Sequence, residues 1–397
     1  MTVTEAHLVA ATKRLREHPH DQGAWLELAA IHHALGNAED AETLFHTIGE
    51  GARIGGQVAL AVACGRHLAE LGSVHGPELV DAVVESYAAG AAPAVAPTAP
   101  EEAPSVATGK GAPLEEARAL VKTLAAWLTN RKVTAAPAPM LAGLSKSGAR
   151  ALIGVMTVRA FPAGAVIIEV DQPATSMYWL AHGTLTVARG GTELGELHTG
   201  ALFGEIALVG GTKRTARVTA REDAWVLEIP ARAVETAATK HPKLAEVLAH
   251  HARARLLANL LRTSELFRAL ADDDRDALLA KFATQLVPAG TTFITEGERN
   301  EHLWVVVSGT CQVQSAGAAI ADLGPGAAVG EISLVSGVVA VASVTAIEPA
   351  VLLRLAKADF DVVAKKHPKL LAEVEKLVVA RETANRALFQ DASDLIV

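Results

Sequence analysis

Between residues 3 and 87, apolar side chains recur at three- and four-residue spacing, and the pattern breaks at Gly36-Asn37, Gly55-Gly56 and Gly76-Pro77. That period predicts a run of amphipathic helices joined by short turns. From about residue 139 the pattern changes to short apolar runs rich in valine and isoleucine, cut by glycines. Many short strands with turn signals at such spacing predict a compact antiparallel barrel or jelly roll. Residues 88–113, between the two regions, are rich in alanine and proline and carry no aromatic residue after Tyr87. They hold too little large apolar surface to fold, which predicts an extended, semi-rigid spacer. One further helix is expected from Pro113, with Glu115 and Glu116 in its first turn, and residues 114–138 are read as that helix and a second small linker.

The strand-rich part is duplicated. A constant offset of 126 residues pairs Pro162 with Pro288, Gly164 with Gly290, Gly183 with Gly309, Gly200 with Gly326, Gly204 with Gly330, and the run KHPKL at 240 with the same run at 366. Each copy begins with a helical turn, at 140–153 and 266–279, and is expected to close with a helix after KHPKL. An offset kept over that length predicts two complete domains of one fold, at 139–263 and 264–397, not a solenoid. The expected fold class is α+β: two tandem barrels with flanking helices behind a small all-α module at 1–87.

One stretch of the duplication carries chemistry. Residues 200–220 read GALFGEIALVGGTKRTARVTA and residues 326–346 read GAAVGEISLVSGVVAVASVTA. The Gly-Glu pair and the flanking strand persist, whereas Thr212-Lys213-Arg214-Thr215 faces Val338-Val339-Ala340-Val341. In the first copy, the Gly-Glu-Ile-Ala-Leu segment can form a helical turn whose backbone amides point at an anion. Gly204 lets a ligand approach the backbone, and Arg214 brings a planar guanidinium suited to oxyanions. On the residues alone, an internal Glu205–Arg214 ion pair in an empty barrel is the alternative.

Residues 162–187, PAGAVIIEVDQPATSMYWLAHGTLTV, followed by 203–218, FGEIALVGGTKRTARV, resemble the cyclic-nucleotide-binding domain family. That family includes the catabolite activator protein and the regulatory subunits of cyclic-nucleotide-dependent protein kinases, and the resemblance covers both copies. It implies a cyclic 3′,5′-nucleotide, cAMP or cGMP, as ligand of the first copy, held by Phe203, Gly204, Glu205, Ile206, Ala207, Arg214, Thr215 and Ala216. In that pose Arg214 grips the two exocyclic phosphate oxygens and Glu205 accepts a hydrogen bond from the ribose 2′-hydroxyl. Ala207 and Ala216 offer backbone amides to the phosphate, and Thr215 lies where base edge or phosphate can be touched. Lys213 departs from the family, where a proline commonly precedes the arginine. The second copy keeps Gly330, Glu331 and Ser333 in the same frame, but Ala340 and Val341 remove the phosphate grip, so this pocket is expected not to be a cyclic-nucleotide site. The family also implies that Leu208 moves with the loop and that helices at about 231–263 repack, which would pass the signal on.

In the helical part, Trp25, Leu28, Ala29, Gly36, Ala41 and Phe45 fall at the spacing of one tetratricopeptide repeat, with Pro19 where a preceding repeat would end. The segment resembles that family's helix-turn-helix unit. This implies a protein-docking module, expected to be mobile relative to the barrels because the spacer cannot fix an orientation.

Composition narrows the remaining classes. A net charge of −8 and a pI of about 6.0 give no support to DNA or anionic lipid as partner. The apolar run Ile332–Ile347 is too short to span a bilayer, and no secretory leader is visible. Cys64 and Cys311 cannot form a disulfide framework and fit a reducing cytoplasm. His250 and His251 are adjacent and lack completing ligands, so neither a metal site nor any cofactor is expected. Arg131-Lys132-Val133-Thr134 resembles a basophilic kinase site, a match too short to carry weight. No nucleophile triad, Walker loop or Rossmann glycine pattern appears, so no enzyme is expected. About twenty residues remain at the end of the second copy, so no helix-turn-helix reader is expected there. The expectation is a cytoplasmic sensor that signals to a protein partner through the helical module. The alternative is a scaffold or inhibitory subunit whose nucleotide domains serve only protein contact.

Overall fold

The computed structural model describes residues 3–89, 103–105, 111–129, 138–205, 207, 212–249 and 281–366, with isolated positions 372, 375, 376, 378 and 379. Most of the 88–113 spacer, the 131–134 segment, Ile206, Leu208, His250 and His251, the 266–279 turn and the helix expected after the second KHPKL lie outside them. By contact the chain divides into two compact units. One holds Met1–Glu169, Thr175–Glu205 and Arg217–Ala249; the other holds Val170–Ala174, Ile206–Ala216 and His250–Val397.

The first unit opens with five helices: α1 (Glu5–Glu17), α2 (Gln22–Ala34), α3 (Ala38–Ile54), α4 (Val58–Glu70) and α5 (His75–Tyr87). Asp21 caps α2 by accepting from the Gly23 amide at 2.8 Å, which satisfies one of the free donors of the first turn. Trp25, Leu28, Ala29, Ala41 and Phe45 are all buried, and the Trp25 indole donates to the Pro19 carbonyl at 2.9 Å. Gly36, between α2 and α3, has φ +80°, a left-handed conformation that glycine adopts without penalty. The repeat-like residues therefore form a packed helical pair, as their spacing predicts.

Helix α6 (Pro113–Thr129) does more than connect. It returns to the module, where Arg118 pairs with Asp40 at 2.8 Å, Arg16 pairs with Glu116, and Ala117, Leu120 and Leu124 are buried. Leu128 lies so close to Gly51 that a Cβ there would meet it at 2.5 Å.

After α7 (Pro139–Ala142) and α8 (Lys146–Gly154) come eight strands: β1 (Thr157–Phe161), β2 (Val166–Ile168), β3 (Ser176–His182), β4 (Thr184–Arg189), β5 (Thr192–His198), β6 (Leu202–Phe203), β7 (Arg217–Ala220) and β8 (Ala224–Pro230). They form two four-stranded antiparallel sheets, β1-β8-β3-β6 and β2-β7-β4-β5. Ile168, Leu180, Leu185, Phe203, Val218, Ala224 and Val226 make the core between them. Helix α9 (Ala231–Lys240) and helical residues 242–249 follow.

The helical module packs on this barrel, where the spacer alone predicted no fixed orientation. Helix α4 packs on β3, the Arg66 Nε donates to the Met156 carbonyl at 2.9 Å, and Arg150 reaches Asp81 at 2.5 Å. The His67 ring sits between Phe45 at 4.6 Å and Trp225 at 5.4 Å. The sequence pattern could not report this, because Trp225 reads as one more strand residue and His67 as one more helix residue.

The second unit repeats the barrel with β9 (Ala283–Val287), β10 (Thr292–Ile294), β11 (His302–Ser308), β12 (Cys311–Ser315), β13 (Ala318–Leu323), β14 (Ala328–Val329), α10 (Glu331–Ser336), β15 (Ser343–Ala346), β16 (Ala350–Ala356) and α11 (Lys357–Lys366). Its sheets, β9-β16-β11-β14 and β10-β15-β12-β13, reproduce the first pair strand for strand. Backbone bonds repeat too: the Gly164 amide donates to Ala220 and the Gly290 amide to Ala346, each at 2.7 Å. Cys64 and Cys311 are both free and buried, and burial pushes the Cys311 thiol up to about 11.

Candidate functional site

Each cassette begins where a two-residue strand ends on a left-handed glycine. Gly204 has φ +80° and Gly330 has φ +88°. At Gly330 a Cβ would lie 2.5 Å from both the Asn300 Nδ2 and the His302 carbonyl, so sterics alone demand glycine there. A carboxylate follows each, and Glu205 and Glu331 are both 1% exposed. In the first unit Phe203 is buried and stacks on Tyr178 at 5.2 Å.

The remainder of the first cassette belongs to the second unit by contact. There Ala207 is buried and its carbonyl accepts from the Thr212 amide at 2.9 Å. Arg214 is 5% exposed; its amide donates to the Gln172 carbonyl at 2.8 Å and its carbonyl accepts from the Asp171 amide at 2.9 Å. Thr215 and Ala216 are half-buried. Thr212 Oγ1 lies 3.2 Å from Ser308 Oγ, and Lys213 Nζ pairs with Glu348 at 3.3 Å, two contacts between distant positions that leave no periodic signal along the chain.

In the second cassette the same backbone carries different chemistry. The Ala340 amide donates to Glu298 and its carbonyl accepts from Gly297, both at 2.8 Å, one copy-length on from the bonds of Arg214. Ala340 is packed into the barrel core beside Ile294 and Val344, while Val338, Val339 and Val341 are exposed. Gly330, Glu331, Ser333, Ala340 and Val341 come together as lining of one cavity of about 280 Å³, with Ile294, Val313, Leu323, Val329 and Val344 among its walls.

Burial of charge sets these segments apart from the other described residues. Among the described residues, the buried aspartate, glutamate, lysine and arginine side chains are Glu205, Arg214 and Glu331, all three from the cassettes. Charged groups are almost never fully buried unless a partner or a ligand repays their lost hydration. Among the described residues no group of histidine, cysteine and carboxylate side chains could hold a metal ion, and no helix is long and apolar enough to cross a membrane.

Comparison with known proteins places the two barrels. The cyclic nucleotide-binding domain family matches residues 158–241 and 284–367. A cAMP-dependent protein kinase regulatory subunit of Candida albicans is 24% identical over 55% of this chain and 46% of its own length. A cGMP-dependent protein kinase of Caenorhabditis elegans is 27% identical over 43% of this chain and 21% of its own. The chain thus spans about half, or less, of these relatives. Among solved structures, the catabolite activator protein of Thermus thermophilus is 29% identical over 33% of this chain and 63% of its own, with a TM-score of 0.30. From the matched segments and the repeated barrel topology, residues 158–241 and 284–367 are two cyclic nucleotide-binding domains in tandem, preceded by a helical segment.

Proposed function

We propose that the chain is a non-enzymatic cyclic-nucleotide sensor that takes one cAMP or cGMP in its first copy and signals to a protein partner. The observation that carries this reading is the buried inventory: both copies bury the cassette carboxylate, and among the described residues the first alone also buries a guanidinium. A guanidinium offers a rigid fork matched to two phosphate oxygens, and a carboxylate accepts from a ribose hydroxyl. In the proposed pose Arg214 holds the exocyclic oxygens, Glu205 the 2′-hydroxyl, and the amides of Ala207 and Ala216 the phosphate. Phe203, Gly204 and Ile206 shape the turn, and Thr215 meets base edge or phosphate. The sensor is taken to span 139–263 and the degenerate copy 264–397.

The partner is proposed to dock on the N-terminal helices, where Val9, Leu71 and Val74 stay exposed although α6 and the barrel cover other faces. Free cysteines at both positions fit action in a reducing cytoplasm. The alternative of a scaffold that binds no nucleotide draws on the exposed valines of the second cassette. Titration calorimetry of the full chain with cAMP and with cGMP decides between them. A stoichiometry near one for at least one nucleotide is expected; a value near two, or no binding of either, overturns the proposal.

A further inference from the structure

Helix α6 meets the N-terminal helices as a ligand meets a groove. Ala117, Leu120, Val121 and Leu124 are buried and Leu128 is half-buried, at i, i+3, i+4, i+7 and i+11. That is the anchor pattern of an amphipathic helix laid into an apolar groove. The groove is formed by α1 and α3, neither of which is a neighbour of α6 in the chain. Charge fits as well: Glu116 in the first turn meets Arg16 of α1, and the Arg118 guanidinium donates twice to Asp40 of α3, at 2.8 and 2.9 Å. On α3 the floor beneath Leu128 is Gly51, where any side chain would collide with it.

The contact is not built as a permanent one. Residues 88–112 lie between α5 and α6 in sequence and residues 130–138 between α6 and α7, so α6 is tethered to both and continuous with neither. Its Arg118 side chain is 53% exposed, and ion pairs at such sites contribute little. Beneath its last turn a cavity of about 170 Å³ remains between Leu128 and Trp25, Gln22, Ile48 and Gln57, whereas protein interiors close to near-crystal density. We propose that α6 is a displaceable occupant of this groove, and that the groove receives an amphipathic helix of a partner protein with the same pattern: a carboxylate for Arg16, an arginine for Asp40 and an apolar stripe over Gly51. A tethered segment competes at an effective concentration on the order of millimolar, so the resting chain is closed to weak binders. The inference rests on the reading of these helices as a docking module, but it places the helix-binding face under α6 rather than at Val9, Leu71 and Val74, so the two fail separately.

The test uses the full chain and a fluorescein-labelled peptide of residues 113–129, with binding read by anisotropy. In the unaltered chain, hydrogen exchange should be at least about tenfold faster in α6 than in α3 and α4. Leu120→Asp with Leu124→Asp, which frees the groove, should bind the peptide at least about tenfold tighter than the unaltered chain does, because the tethered competitor is gone. Adding Gly51→Leu to that variant fills the groove with a helix-favouring residue and should weaken the peptide at least about fivefold. Arg118→Asp in the peptide should weaken it about threefold. Adding Val74→Asp to the double variant separates the two readings: affinity kept within about twofold supports the groove, and a larger loss moves binding to the exposed face, which overturns this inference and spares the docking module. Exchange in α6 as slow as in α3, loss of α3 protection in the double variant, or no tightening of peptide binding makes α6 a fixed part of the module and overturns the proposal. So does a chain that is dimeric by light scattering and becomes monomeric with the double substitution, which would assign the groove to α6 of a second copy.

Discussion

In the first copy the Arg214 backbone bonds to Gln172 and Asp171, and in the second the Ala340 backbone bonds to Glu298 and Gly297 with the same pattern and nearly the same lengths. Both cassettes start on a left-handed glycine and bury a glutamate, yet one carries a guanidinium and the other a methyl packed into an aliphatic core. The comparison separates what the barrel needs from what a ligand needs. Gly204 and Gly330 are shared because the strand-to-turn reversal requires them. Arg214 is not shared, and in the second copy a methyl in the aliphatic core stands in its place.

The largest break in this comparison should come from Arg214→Ala. Truncating one partner of a buried charge-assisted contact costs about 2–5 kcal/mol, so cyclic-nucleotide affinity should fall by roughly 30-fold to several-thousand-fold. Calorimetry beside a melting curve checks it; unchanged affinity in a folded variant would sink the proposed pose. Gly330→Ala should come next. The added Cβ would meet Asn300 and the His302 carbonyl at 2.5 Å in a backbone with φ +88°, a strain of about 1–3 kcal/mol. Urea denaturation should show that loss in the second barrel, with nucleotide binding to the first copy preserved.

A third variant tries to convert one copy into the other. With Arg214→Ala silencing the first copy, Ala340→Arg plus Val341→Thr should create weak nucleotide binding in the second, because the cassette backbone is already in place. Ligand at about ten times its Kd should stabilise by about 1.4 kcal/mol, readable as a thermal shift. A lowered melting point without ligand response would mean that the core around Ala340 rejects the guanidinium.

The smallest effect concerns acid. Burial holds the His67 imidazole below its ordinary pKa, with His33 adding to the effect, and burial lowers His182 despite Glu222 and Asp21. Each takes up its proton at a lower pH in the folded chain than in the unfolded one, so their share of stability is full above the unfolded value near 6.5 and is lost as pH falls through the depressed folded values. The second copy has Ser308 and Val351 at the positions of His182 and Trp225. Hydrogen exchange should therefore rise between pH 7.5 and pH 5.5 more in α4, β3 and β8 than in β11 and β16, where the half-buried His302 is also lowered, by burial and by Arg354; equal rises in both barrels would refute the assignment.

How far the sequence reached follows from what kind of order it encodes. The duplication was legible because the offset preserves turn glycines, and turn glycines fix topology; all eight strands of each barrel follow. The helical pair around Trp25 and Phe45 was legible because large and small residues alternate at repeat spacing. The return of α6 onto the module was not, because Arg118–Asp40 and Leu128 over Gly51 join positions far apart in the chain with no periodic signal. The docking of α4 on β3 was hidden for the same reason. At the second cassette the substitutions showed the loss of the phosphate grip but not the fate of the pocket; Val338 and Val339 face solvent, Ala340 turns in, and the cavity persists.

The steric demand at Gly330 also bears on how such chains are counted. Because Asn300 and the His302 carbonyl crowd that position, glycine there would be retained by purifying selection for folding even after every trace of ligand affinity had drifted away. A genome survey keyed to Gly-Glu would score two receptors in this chain. One keyed to the residue nine positions after the glutamate would score one, and would flag the other as a duplicate free to acquire a new specificity.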